Sequence, residues 1–418
     1  MLKRVVFVIL LALVFNFTFI STTYADETEF RFYYQRIEEV LDLSPEKEPE
    51  NIWQKGKALI NKGLNHAKRF VDRNITRKFF PGEGEKVWHS RENPDIAYNV
   101  QRTLVTSEEH LLELMGASEE SELSDGQKAL LAVYRESSSQ AIKDRLPYSR
   151  RSHLNIMLSD TTGYDDPEEF PHVRRDFWPY ANGPLINMST NRYNYVGSDE
   201  AARSTFLHEF AHTIDTTLME FRNPYGLDGT HYVNEKLRPR AAFVEGWAIF
   251  NEMVESESKA RSVENTVKQI RIESKETAGE YEIVSAENLT GEQLMRVEGI
   301  IAQAMYRMSN EIPDGQTKIF DAFMSTRWNV FRNFSVVTRK FASENPDDIF
   351  TMAQILDEIT YGGLTDAQML DFIGSCEQAL EYISLRNQAE QIDATPETRS
   401  TIIPVVEGLS GNNPFAIE

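Results

Sequence analysis

The sequence predicts an α+β chain, mainly α, with a small sheet and one metal-motif helix set between helical N- and C-terminal lobes. Three observations point there. Helix-type patterning runs through residues 26–145 and again beyond residue 240. Two short apolar runs, 153–158 and 185–189, read as strands, the second introduced by Gly183-Pro184. Between them and the later helices stands His208-Glu209-Phe210-Ala211-His212, an H-E-x-x-H in a strongly helical segment.

Taken in order, the first 25 residues stand apart. Lys3-Arg4 precede an almost wholly apolar run over 5–19, and Thr23-Tyr24-Ala25 offers small residues at the positions a signal peptidase reads. This resembles a secretory signal peptide cut after Ala25, so the expected location is periplasmic or secreted. The alternative is an uncleaved membrane anchor, for which the apolar run is short. Residues 26–145 are expected to be helical throughout, with helices over 27–43, 52–73, 97–115 and 125–145 and linkers at 45–50 and 80–85.

Residues 146–260 are expected to form the metal-bearing core. It contains the two strands, an aromatic loop ending in Phe177-Trp178-Pro179-Tyr180, the H-E-x-x-H helix from Ser198 or Asp199 through Glu220, and a further helix over 240–256. Residues 261–395 read as a helical C-terminal lobe, with helices over 294–312, 318–333, 350–360 and 366–392. Residues 396–418 read as a loose tail.

Composition limits the partners. The 418 residues are 41% hydrophobic and 26% charged, an ordinary globular balance. Lys and Arg number 44 against 65 acidic residues, a net charge of −21; losing Lys3 and Arg4 with the signal makes it −23. Such a chain repels nucleic acid, and a membrane is a partner only if the N-terminal segment stays uncleaved. The single cysteine, Cys376, excludes an internal disulfide and reads as a buried structural thiol.

The chemistry centres on the H-E-x-x-H. Residues four apart on a helix lie on one face, so both imidazoles reach one Zn2+. Glu209, turned about 100° from His208, stands beside the metal as a base. A catalytic zinc takes a third protein ligand and keeps a position open for water. Glu245, in Phe243-Val244-Glu245-Gly246-Trp247-Ala248, is the best candidate, because an ionised carboxylate in such apolar company is costly unless paired or metal-bound. Gly246 and Ala248 would let its helix approach the first closely. Asp215, three residues after His212, competes as a ligand or as an acceptor that orients a ligand histidine. His231 and Asp228 are weaker rivals.

His208-Glu209-Phe210-Ala211-His212-Thr213-Ile214-Asp215 followed by Val244-Glu245-Gly246-Trp247-Ala248-Ile249-Phe250 resembles the gluzincin branch of zinc metallopeptidases, over roughly residues 125–320. The resemblance implies a zincin-like sheet and active-site helix. It implies His208, His212 and Glu245 as ligands and Glu209 as general base. It does not extend to a single family. The aminopeptidase G-x-M-E-N element is absent, and the 32 residues between His212 and Glu245 exceed that pattern's spacing. The thermolysin-like N-E-x-x-S-D is replaced by V-E-G-W-A-I, and the Gly and His of metzincins by Asp215 and Leu218.

The expected reaction is hydrolysis of a peptide or protein substrate, with Glu209 moving the proton from water to the leaving amine. Candidate oxyanion donors are Tyr232, His231, Tyr306 and Tyr361. Strand Leu185–Ser189 is either an edge that pairs with an extended peptide, with Asn187 in contact, or a plain interior strand. Two other functions fit the same residues. One is a non-catalytic zincin-fold binding module, which has no need of Glu209. The other is a zinc amidase acting on cell-wall-type amide bonds.

Overall fold

The computed structural model describes residues 28–42, 82–149, 153–190, 199–214, 232–273, 280–326 and 332–391, apart from a few single positions within them. The signal-like segment, the expected helix over 52–73 and the tail lie outside these residues. Among the described residues no helix is long and apolar enough to cross a membrane. The chain forms two compact units, the first ending at Glu209 and the second beginning at Phe210.

The first unit is built on a mixed six-stranded sheet of β1 (Glu29–Asp42), β2 (Gly84–His89), β3 (Ile96–Leu104), β4 (His153–Asp160), β5 (Tyr180–Asn182) and β6 (Leu185–Ser189), in the order β2-β3-β1-β4-β6-β5. β1, β4 and β6 are parallel; β3 is antiparallel to β1 and β2, and β5 to β6. Helices α1 (Glu108–Leu114), α2 (Asp125–Glu136), α3 (Gln140–Ser149) and the single turn α4 (Val173–Asp176) complete it.

The expected helical character of 26–145 is therefore corrected. The segment expected as a helix over 27–43 is β1, and 97–115 divides into β3 and α1. The region between 125 and 145 holds two helices, broken at Ser137–Ser139. β1 carries Glu, Arg and Leu, which favour helices locally, but it pairs along both edges and buries Phe32, Tyr33, Tyr34 and Ile37. Burial on both faces of a central strand outweighs local propensity. Ile37 joins Trp88, Tyr98, Val100, Val173 and Phe177 in one core cluster, where Phe177 stacks on Trp88 at 5.2 Å. Phe177, from the aromatic loop end, thus plugs the core, while Trp178 beside it is exposed.

At the carboxyl ends of β4 and β6 a buried polar network closes the unit. Asp160 accepts from Tyr34 Oη (2.5 Å), Gln127 Nε2 (3.2 Å) and the Thr162 amide (2.9 Å). Gln127 also completes a capping box with Ser124 at the start of α2. Gly126, in that first turn, packs so close that an added Cβ would meet the Thr190 carbonyl at 2.4 Å. β6 lies inside the sheet, between β4 and the three-residue edge strand β5. Asn187 is fully buried there: it accepts from Ser159 Oγ and donates to the Phe177 and Trp178 carbonyls. The interior-strand alternative is the one observed, and Asn187 is a structural residue.

Helix α5 (Asp199–Ile214) carries the H-E-x-x-H, and the division between the units falls inside it, after Glu209. The second unit continues with α6 (Pro239–Glu255), α7 (Glu257–Thr266), the hairpin β7 (Gln269–Glu273) and β8 (Tyr281–Ser285), then α8 (Gly291–Leu294), α9 (Glu298–Glu311), α10 (Gly315–Ser325), α11 (Phe334–Glu344), α12 (Ile349–Ile359), α13 (Asp366–Ile373) and α14 (Glu377–Gln391). The lobe is helical as expected, but the hairpin was not anticipated. Two expected helices also break: 294–312 at the extended Val297, and 366–392 at Gly374, whose φ of +80° ends α13. The expected helix over 318–333 ends at Ser325, and Asn333 instead caps α11 by accepting from the Val336 amide. Cys376 is a free thiol and only half-buried, in contrast to the expected buried one. It lies in the bend between α13 and α14 rather than on a packed helix face.

Candidate metal centre

α5 begins with Asp199 and Glu200, acids in the first turn where the helix dipole favours them. Ala202, Phe206, Phe210, Ala211 and Ile214 are buried, which leaves His208 and His212 half-buried at one side. Glu209 is 8% exposed. The rest of the expected helix, through Glu220, lies outside the described residues.

α6 supplies the third donor. Pro239 at its first turn fixes the backbone for helix entry. From Ala241 to Met253 every residue but Val244 is buried, so this is an interior helix. Glu245 is 7% exposed within it. Its Oε2 stands 3.3 Å from His212 Nε2. Together His208, His212 and Glu245 offer three ligand atoms that all lie within 4.8 Å of one another.

Three donors grouped in this way could hold a metal ion. Ligand atoms at about 2.0–2.1 Å from zinc stand roughly 3.3–3.4 Å apart across a tetrahedral edge. The His212–Glu245 pair already has that spacing. The donor set, two imidazoles and one carboxylate, is that of a three-ligand catalytic zinc with one position left for water. Holding a cation also relieves the cost of a buried carboxylate.

A scan against protein-family models, a search of curated proteins and a search of solved structures each find no match to this chain. The reading of the site rests on its own geometry.

The helix around Glu245 is held from several sides. Gly246 faces α9: an added Cβ would meet the Glu298 carbonyl at 2.8 Å and Ile301 Cγ2 at 2.9 Å. Expected to ease the approach to the H-E-x-x-H helix, Gly246 eases the approach to α9. Trp247 stacks on Phe323 at 3.8 Å and meets Phe320 edge-on at 4.8 Å. Its Nε1 donates to the Ala211 carbonyl at 3.2 Å. Arg332, fully buried, lies 4.2 Å from the Phe323 ring and donates to the Phe323 carbonyl, and burial lowers its guanidinium to about 9. Trp247 was not singled out from the sequence as a functional residue. Its place two positions after the carboxylate in Glu-Gly-Trp-Ala was the available signal.

The other candidates stand elsewhere or outside view. Asp215, Asp228 and His231 lie outside the described residues. Tyr232 is exposed, with the Arg271 guanidinium 3.9 Å over its ring. Tyr306 is half-buried on α9, where its carbonyl accepts from Ser309 and Asn310. Tyr361 follows α12 with a left-handed φ of 53°. Burial, and then the Glu287 carboxylate, raises its phenol above the ordinary value. Among the described residues, His208, His212 and Glu245 are the metal-ligand candidates that converge.

Proposed function

We propose that this chain is an exported zinc-dependent peptidase of gluzincin type. The observation that carries the reading is the convergence of His208, His212 and Glu245, with Glu209 between the two histidines on the same helix. A binding module needs the three ligands but not a carboxylate at position 209.

Neutral imidazoles of His208 and His212 and the ionised Glu245 are the groups that would hold Zn2+. Zinc in such a site acidifies a water and polarises a carbonyl. Glu209 then acts on protons. Its carboxylate takes one from the attacking water as the water oxygen bonds to the scissile carbon. It gives that proton to the amide nitrogen as the C–N bond breaks, and the second water proton follows by the same route, so the products are a carboxylate and an ammonium group.

The test is a peptide library incubated with the zinc-loaded protein, the chelated protein and the protein reloaded with zinc. Cleavage is expected in the first and third samples and not in the second. Zinc-loaded protein that cuts no peptide would refute the peptidase reading. Release of amine from a peptidoglycan-type crosslink under those conditions would assign the site to an amidase.

A further inference from the structure

We propose that Trp247 is a positioning residue of the metal centre, whose indole N–H holds Glu245 in register with His212. The inference rests on the metal-site reading above and adds a residue to it.

Glu245 and Trp247 are two residues apart on α6, so they leave its axis about 200° apart. Gly246, between them, is turned toward α9. The buried Ala248 falls on the opposite side of the helix, about 200° from Gly246. Glu245 and Trp247 therefore flank Ala248. From one flank Glu245 reaches His212 at 3.3 Å; from the other, Trp247 donates to the carbonyl of Ala211, the residue before it. Two contacts from opposite flanks to neighbouring residues fix both the rotation and the height of α6 against α5.

The ring is itself held rigidly. It lies nearly parallel to Phe323, at 15°, and Phe320 meets it at 64°. Its N–H thus has one direction available, and the carbonyl of a helical residue has a second lone pair to accept it. Metal ligation is sensitive to such placement. A slip of one residue turns a helix by about 100° and moves it about 1.5 Å, whereas ligand distances must hold within about 0.2 Å. A side chain that locks register without touching the metal controls how well the carboxylate meets the ion.

The test measures zinc affinity by competition with a chromophoric chelator on the whole chain. Trp247→Phe keeps an aromatic ring but removes the N–H. A benzothienylalanine at position 247 keeps the size of the indole and also lacks the N–H, which guards against loss through repacking. Both are expected to bind zinc about 10-fold or more weakly than the wild type. In a Glu245→Ala background, where the two histidines alone bind zinc too weakly to survive dialysis but measurably by titration, Trp247→Phe is expected to have no further effect, because it acts through that carboxylate. Wild-type affinity in both N–H-less proteins would overturn the proposal. So would an equal loss in the presence and absence of Glu245, which marks a general packing role. A wild-type chain that takes up no zinc would instead refute the metal-site reading itself.

Discussion

Glu209→Gln is expected to bind zinc as tightly as the wild type and to hydrolyse peptides about 10²–10⁴-fold more slowly. Gln has nearly the shape of Glu but cannot accept a proton. The ligands His208, His212 and Glu245 are untouched by the change, so metal content separates loss of the base from loss of the site. Glu209 is only 8% exposed, and a carboxylate shielded from water in this way is retained for a role rather than for solubility. The measurement is kcat/KM on a peptide cleaved by the wild type, alongside zinc per chain. A variant that cuts at the wild-type rate would place the base elsewhere. One that loses zinc would make Glu209 part of the ligand set.

Arg386→Ala is expected to destabilise the second unit by about 3–5 kcal/mol. Arg386 on α14 is 3% exposed. It donates to Asp357 on α12 at 3.4 Å, to the Leu364 carbonyl at 3.1 Å, and to Asp366 at the start of α13. One guanidinium thus ties three helices together. Its removal takes the guanidinium away from Asp357, itself only 5% exposed. Acid should narrow the difference. The Asp366 carboxyl is held below its ordinary value by the Asn387 hydrogen bond and then by Arg386. A carboxylate with a depressed folded pKa stabilises above the unfolded value, about 3.9, and that contribution is lost as pH falls through the lower folded value. Urea midpoints at neutral pH should therefore differ widely between wild type and variant, and converge in strong acid. Equal midpoints at neutral pH would contradict the clasp.

The site was more legible than the fold, for a physical reason. The pairing of His208 with His212 is set by one turn of one helix, and Glu245 stands out by its apolar neighbours within five residues. Both signals are local. β1 gives no such signal. Its Glu, Arg and Leu favour a helix, and what makes it a strand is pairing with β3 on one side and β4 on the other. The β7–β8 hairpin is not legible because the sequence between its strands carries no short Asn-Gly or Asp-Gly signature. Strands that read correctly, His153–Asp160 and Leu185–Ser189, carry the apolar clusters Ile156-Met157-Leu158 and Leu185-Ile186 and are almost wholly buried. Trp247 was visible as a letter but not as a contact, because its hydrogen bond to Ala211 spans 36 positions.

The central claim is that His208, His212 and Glu245 form one metal site. The direct measurement is zinc per chain, after dialysis against a weak chelator, for the wild type and for His208→Ala, His212→Ala and Glu245→Ala. The account predicts a single bound zinc in the wild type and loss of it in each variant. Full zinc retention in Glu245→Ala would contradict it and pass the third ligand to Asp215 or His231.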